Sequence, residues 1–360
     1  MAIDFAKEGF RAAPTHEERV FEAAQLFGQG RVSTNLDAQH RLLEAFSTSD
    51  FPVLLGAAFE KQAMEAQKNA VSEIEPIAYT TSLPDFRPKK LVDLFGKTYF
   101  DDVAEGEEYK GDTLAETSVE VKTGKTGRNY GLTFEAMVSR DFSELANFPL
   151  LLGNGAVNTE NRKIYEQMIG DAGPLADFFG TVDTAALTAE NLQLAIEGLA
   201  TKTNHRDELV DISSLVLIVA PALQFRAQQI LNAQEVEIQT TNGNRVQKTR
   251  VPNPFRGLIT LQISREWGTR NKSASAGSAW ALVPHRSTDN PAVVKTTLLG
   301  HESLDIRVKR DQGERVGGGA IPVNEGSFND DTIWFRGRHF VGSAKGFTLA
   351  VYASTGTSGN

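Results

Sequence analysis

Cysteine is missing altogether from this 360-residue chain, which excludes disulfides, thiolate nucleophiles and every zinc or iron–sulfur site built on sulfur. Long apolar runs are missing too, since no stretch approaches the roughly 18 apolar residues of a membrane-spanning helix. Positive charge is in deficit, with 37 Lys and Arg against 46 Asp and Glu and a formal net charge of -9. That total argues against a chain that coats nucleic acid by neutralising phosphates, although a local basic patch can sit inside it. What remains is ordinary globular material, 40% hydrophobic and 23% charged, long enough for two or three structural units and a sizeable core. At the start, Met1-Ala-Ile-Asp-Phe-Ala-Lys-Glu8, acids interrupt each apolar stretch before a signal-peptide core can form. The expected compartment is therefore cytosolic, with final residence in a soluble assembly.

Enzyme motifs fail one by one. Gly124-Lys125-Thr126 and Gly96-Lys97-Thr98 end like phosphate-binding loops, but the required first glycine falls at Val119 and at Leu91. Gly317-Gly-Gly319 lacks dinucleotide-loop spacing and reads as a turn. His16-Glu17 and His301-Glu302 each lack the second histidine of a zinc-protease helix. Ser343 stands at the wrong place between Gly342 and Gly346 for a nucleophile elbow. No catalytic residue, cofactor site or metal ligand is assigned.

Periodicity predicts a chain that mixes helices and strands, and the family resemblance given below implies the α+β class. Residues 15–28 read as a helix with a capping box at Thr15 and Glu18, an apolar stripe of Val20, Ala23, Ala24 and Phe27, and a stop at Gly28 and Gly30. A second helix runs from Pro52 toward Ala70. This region is either two surface helices of an ordinary domain or an arm that buries its apolar groups only against neighbouring subunits. Further helices are expected at Phe134–Phe142, at Asn161–Ile169 before Gly170, and at Thr188–Ala200. The apolar run Ser214–Ala220 reads as a buried strand, followed by Pro221 and a helix to Leu231. Residues 232–257 are polar, with turn signals at Asn242-Gly-Asn244 and Pro252-Asn-Pro254. Strands are expected at Leu258–Ile263, Trp280–Val283, Ser303–Lys309, Thr332–Val341 and Gly346–Ala353, before a flexible tail from Ser354.

Between Thr98 and Thr133 polar and β-forming residues mix with few large apolar side chains. Glu116, Ser118 and Glu120 can share one face and Thr117, Val119 and Val121 the other, while Gly124 and Gly127 permit tight turning. Such a ribbon has little to bury by itself, which suits a long hairpin with partners elsewhere. Glu107, Glu108, Glu116 and Glu120 offer carboxylates and Lys110, Lys122, Lys125 and Arg128 offer cations. These are the candidate intersubunit contacts.

Four segments, in order, carry a family resemblance. They are Leu42-Leu-Glu-Ala-Phe-Ser-Thr-Ser-Asp-Phe-Pro-Val-Leu-Leu55, Leu83-Pro-Asp-Phe-Arg87, the ribbon ending Tyr130-Gly-Leu-Thr-Phe-Glu-Ala-Met-Val-Ser-Arg-Asp-Phe142, and Leu215-Val-Leu-Ile-Val-Ala-Pro221. Over most of residues 42 to 353 the chain resembles the major capsid, or major head, proteins of tailed bacteriophages with the Hong Kong 97-type fold. The resemblance implies an N-terminal arm and lead-in helix over 1–75, peripheral-domain parts over 76–97 and 134–204, the second with a long helix, and an extended E-loop over 98–133. It further implies an axial domain over 205–325 and a return to the peripheral domain with a flexible tail over 326–360. As implied partners it brings copies of the chain in hexameric and pentameric capsomers, a portal, a scaffold or maturation protease, a decoration protein, and weak non-specific contact with packaged double-stranded DNA, with no membrane. The implied location is the virion capsid, assembled in the bacterial host cytoplasm, and the short acidic N-terminal region leaves room for removal of a few dozen residues. Alternatives are a nonviral encapsulating shell protein of the same fold and, behind it, a soluble hydrolase.

The acidic total predicts that duplex DNA binds weakly and without sequence preference. Random and genomic duplexes should show similar affinities that fall steeply with added salt in a fluorescence binding assay; one tightly held site surviving physiological salt would contradict this.

Overall fold

The computed structural model describes residues 15–32, 36–46, 51–93, 102–103, 105–108, 117–138, 143–203, 209–242, 245–288, 291–309, 313–314, 316–319, 321 and 326–358. Helices α1 (His16–Val32), α2 (Leu36–Phe46) and α3 (Phe51–Asn69) lead into strands β1 (Ala78–Leu83), β2 (Lys89–Asp93), β3 (Thr117–Val121) and β4 (Gly124–Leu132). Then come α4 (Phe134–Val138), α5 (Ser143–Tyr165), β5 (Ile169–Gly170), β6 (Gly173–Pro174), α6 (Ala176–Phe179), β7 (Val182–Asp183) and α7 (Ala189–Ala200). The next elements are β8 (Leu215–Val219), α8 (Gln224–Asn232), β9 (Glu235–Asn242), β10 (Arg245–Pro252), β11 (Ile259–Ile263) and α9 (Arg265–Arg270). The chain closes with β12 (Trp280–Pro284), β13 (Val293–Leu298), β14 (Asp305–Val308), β15 (Ile333–Lys345) and β16 (Tyr352–Ser354). This is an α+β architecture of two compact units. Unit one takes Met1–Ala70, Lys125–Val157 and His301–Phe340; unit two takes Val71–Gly124, Asn158–Gly300 and Val341–Asn360.

In unit one the capping box forms as expected. Thr15 N donates to Glu18 Oε2 at 2.7 Å and Glu18 N donates to Thr15 Oγ1 at 3.3 Å. Gly28 and Gly30 do not stop α1, which continues to Val32; the cost of about 1 kcal/mol per helical glycine is outweighed by burial of Val20, Ala23 and Phe27. On α3, Pro52 occupies the first turn, where its missing N–H costs nothing, and Leu55, Phe59 and Ala63 recur at helical spacing and are buried. Helix α2, not expected from periodicity, buries Leu42 in the same core. The described part of the N-terminal region is therefore packed within its own chain, and residues 1–14 lie outside the described residues.

Three rings hold this core. Phe59 meets Phe148 and Phe335 edge-on at 5.9 and 5.6 Å between centroids, and Phe148 lies 5.9 Å from Phe335. Gly153 lets α5 approach α3, since a Cβ there would stand 2.5 Å from the Ala63 carbonyl oxygen. The helix expected at Asn161–Ile169 overlaps the end of this much longer one, which stops at Tyr165, while Ile169 belongs to β5. Pro149, Gly153 and Gly155 mask the periodicity of the first half of α5, and packing overrides their low propensity. β14 pairs antiparallel with β15 from Asp305↔Arg338 to Val308↔Phe335, and β4 also pairs with β15.

Unit two is built on β8, whose every residue is buried. Its sheet runs β11-β8-β12-β16-β7, with β11 parallel and β12 antiparallel to β8. α7 starts where expected, with Thr188 Oγ1 accepting from Asn191 N at 3.1 Å. The helix after Pro221 begins as a 3-10 turn, Pro221–Leu223, before α8. Two expectations change here. Within the polar stretch 232–257, β9 and β10 pair as a hairpin from Glu235↔Pro252 to Asn242↔Arg245, so its turn signal joined two strands. The tail is tied down as far as Ser358, with Thr355 N donating to Asp183 O and Ser358 N to Thr184 O, both at 2.8 Å. Strand β13, missed in the sequence, pairs parallel with β1 and antiparallel with Val341–Lys345 of β15. Of the extended segment expected at Gly346–Ala353, the strand holds only Tyr352 and Ala353, and β16 ends at Ser354.

Phe148→Ala should lower unfolding stability by about 3–5 kcal/mol, because a fully buried ring leaves a cavity among its partners. Phe225→Ala, at 80% exposure, should change it by less than about 0.5 kcal/mol. Denaturant unfolding of unassembled protein measures both.

Candidate functional site

The candidate contacts fall in both units. Glu107 and Glu108 lie exposed in the connection between β2 and β3, as do Asp102 and Glu105. Lys110 and Glu116 lie outside the described residues. Glu120 is exposed on β3 directly across from Lys90, an arrangement of opposite charges that contributes roughly 0.2–1 kcal/mol. Lys122 follows β3, also exposed, and Lys125 and Arg128 stand exposed on β4 in unit one.

The root of the hairpin is internal. β2 and β3 pair from Lys89↔Val121 to Asp93↔Thr117, and Val121 is buried with Leu83, Val294 and Ala344, against which Leu91 and Val119 pack. Thr123 Oγ1 donates to Thr297 O at 3.3 Å, and Thr296 Oγ1 donates to Lys122 O at 3.0 Å. A Cβ on Gly342 would overlap the Lys122 carbonyl, so backbone passes directly over backbone here. Residues 117–132 thus find partners within the chain, contrary to the expectation of an unsupported ribbon. Gly124 and Gly127 sit within β4 and not at a turn. At Gly127 a Cβ would stand 2.6 Å from the Gly337 carbonyl oxygen, while Thr126 Oγ1 donates to His339 O at 2.9 Å.

The three strands of unit one build a basic face that charge counting in the ribbon missed. Arg307 and Lys309 recur at strand period in and just after β14, and Arg336 and Arg338 on β15, so each pair shares a side. That spacing is the signal that could have found them. With Lys125, Arg128 and Asn129 they line two cavities of about 290 and 370 Å³ that share Asn129 and Arg336. Arg128 also lies over the Tyr130 ring, 5.8 Å from its centroid. Asp305 accepts from Arg338 Nε at 2.7 Å and from Arg307 Nη2 at 3.0 Å. Burial pushes its carboxyl up, but those two guanidinium hydrogen bonds outweigh burial and hold it below the usual carboxylate range. On α3, burial pushes Glu60 up.

Unit two holds a cavity of about 720 Å³ between α6, α7 and the segment before β16. Its polar groups are satisfied by the wall itself: Lys202 Nζ donates to Val351 O at 3.0 Å, and Tyr352 OH donates to Asp183 Oδ2 at 2.8 Å. Among the described residues no cluster of His, Asp and Glu could hold a metal ion, and no helix is long and apolar enough to cross a membrane.

Residues 116–354 match the family described as phage capsid protein. Among curated proteins, none matches. Among solved structures, the chain is similar to the capsid of Cyanophage P-SCSP1u at 12% identity and TM-score 0.45, covering 79% of this chain and 88% of that one. It is similar to the virus-like particle from Pyrococcus furiosus at 8% identity and TM-score 0.40, covering 82% and 97%. For the chain from Mycobacterium phage Ogopogo the values are 14%, 0.39, 78% and 92%. At these values the structural likenesses add nothing to the family match.

Because Asp305 has a lowered folded pKa, its contribution to stability is complete above its unfolded value near 3.8 and is lost as pH falls through the folded value. Glu60, with its raised pKa, acts in the opposite direction and is common to both proteins compared. Asp305→Asn should therefore lower the melting temperature at pH 7, and the gap to the parent should narrow as pH falls below 3.8. Thermal unfolding across pH checks this.

Proposed function

Because the chain belongs to the phage capsid protein family, a family of structural shell proteins and not enzymes, we propose that it is the major capsid protein of a tailed bacteriophage. In this reading it has the Hong Kong 97-type fold and assembles into hexamers and pentamers of an icosahedral head around double-stranded DNA. The observation that carries the proposal is the family match over residues 116–354. The internally rooted β2–β3 hairpin supports it, because its long connection leaves two strands that are already satisfied. Asp93 and Thr117 are paired at the root, and a connection over 94–116 can reach out at most roughly 40 Å. We place the E-loop there, narrower than the 98–133 ribbon, because 117–132 belong to sheets of the same chain.

The remaining roles follow the resemblance. Residues 1–75 are the N-terminal arm and lead-in helix, 76–93 and 117–204 with 326–360 the peripheral domain, and 205–325 the axial domain near capsomer symmetry axes. Heterologous contacts between different patches of identical copies close into rings when the geometry allows, which is how one chain builds capsomers. A portal, a scaffold or maturation protease and a decoration protein complete the assembly. The site of residence is the virion capsid, formed in the host cytoplasm, and packaged DNA touches the shell weakly and without sequence recognition.

Negative-stain microscopy and sedimentation of purified protein should reveal capsomers or closed shells. Replacing 94–116 by Asn-Gly, a turn suited to a two-residue hairpin, should leave circular dichroism and unfolding unchanged while abolishing shells. A compact monomer under every condition, including co-expression with scaffold or protease, would overturn the proposal, and shells from the deleted protein would overturn the E-loop placement.

A further inference from the structure

Beside β4 lies a concave site that shell formation does not use. A depression of about 290 Å³ is lined by Lys125, Arg128 and Asn129 of β4 and by Arg336 and Arg338 of β15. A second, of about 370 Å³, shares Asn129 and Arg336 with it and adds Arg307. None of the described lining residues is acidic. Lys125, Arg128 and Arg336 are exposed, and none of the three has a carboxylate partner among the described residues. Two of the guanidiniums are held from beneath. Arg128 rests over the Tyr130 ring, 5.8 Å from its centroid, and that ring lies 5.0 Å from the ring of buried Phe148. Arg338 lies 5.3 Å over the Phe340 ring and donates from Nε to Asp305 Oδ2 at 2.7 Å. The carboxylate of Asp305 is thereby committed to Arg338 and Arg307.

Cations gathered around a hollow with no carboxylate to balance them repel one another, and a multiply charged anion relieves that repulsion. Guanidinium forks match phosphate oxygens in bidentate geometry, and a ring stack or an ion pair that fixes the fork lowers the ordering cost of binding. Three uncompensated charges ask for an anion of comparable charge, which a single carboxylate does not supply. The anion is also short. A long polyanion would run out over the rest of a chain whose net charge is -9, whereas a compact one feels chiefly the charges within a Debye length. We propose that these adjoining depressions bind a short linear phosphate chain, either free or carried by a nucleotide. Arg128, Arg336 and Lys125 compensate its charge, and the Asn129 side-chain amide donates where the two hollows meet. The site belongs to a single chain and does not require assembly.

Isothermal titration calorimetry of the full chain with inorganic tripolyphosphate, ATP, adenosine and random-sequence duplex DNA tests it. Tripolyphosphate should bind at or below about 1 mM in about 150 mM salt, and more weakly as salt rises. Arg128→Gln and Arg336→Gln should each weaken it by about tenfold or more, the loss of a charge-assisted hydrogen bond. Lys125→Gln should weaken it less, by about threefold, because lysine acts as a point charge. Arg226→Gln, which removes an exposed cation from α8 in unit two, should leave the affinity unchanged. Circular dichroism verifies that each variant folds, and the exposure of all four side chains makes their replacement mild. Equal affinity for ATP and tripolyphosphate supports the proposal with a free phosphate chain as the ligand, and tighter ATP supports it with a nucleotide. Adenosine binding as well as ATP overturns it, because the phosphates then contribute nothing. No heat with tripolyphosphate, an affinity that survives both arginine substitutions, or an equal loss in Arg226→Gln also overturns it. Duplex DNA held by Arg128 and Arg336 while tripolyphosphate is not bound assigns the face to nucleic acid and overturns it as well.

Discussion

Backbone passing over backbone at β15 is the constraint on which the other features depend. In unit one, β4 comes so near that Gly127 has no room for a Cβ beside the Gly337 carbonyl. In unit two, the turn after β3 comes equally near Gly342. Such approaches admit only glycine, and they hold β4 and the segment after β3 close against β15. The hairpin root follows from the second approach and the basic face from the first, since Lys125 and Arg128 take their places through β4, and Arg336 through β15. Side chains then complete what the backbone begins, with Thr126, Thr123 and Thr296 donating to main-chain oxygens.

Charge is organised against its own average. The chain is acidic overall, yet unit one gathers cations on one face, where Asp305 pairs with Arg307 and Arg338. Exposed ion pairs contribute only about 0–1 kcal/mol each, so this arrangement does little for the fold of a single chain.

Much of the fold was legible where local chemistry and tertiary packing agree. The capping box at Thr15 and Glu18, the cap at Thr188 and the buried strand Leu215–Val219 each carry a short-range signal that packing reinforces. Elements were missed where packing overrides propensity. Pro149, Gly153 and Gly155 hide the first half of α5, and Gly28 with Gly30 suggested an end to α1 that burial of Phe27 removes. The ribbon was read as unsupported because the partners of β3 and β4 lie far away in sequence, at Lys89–Asp93 and Ile333–Lys345.

By itself the sequence determined that the chain has no cysteine chemistry, no assigned enzyme motif and an acidic total, and its ordered segments carried the family resemblance. These properties are sums or local patterns, available without coordinates. Only the tertiary structure decided that Gly127 and Gly342 are points of backbone approach, that 117–132 are held internally, and that Arg307, Lys309 and Arg336 join Lys125 and Arg128 on one face. Those facts depend on which distant strands pair and in what register. Register is set by the buried face as a whole, because a slip of one residue would turn every side chain to the other side.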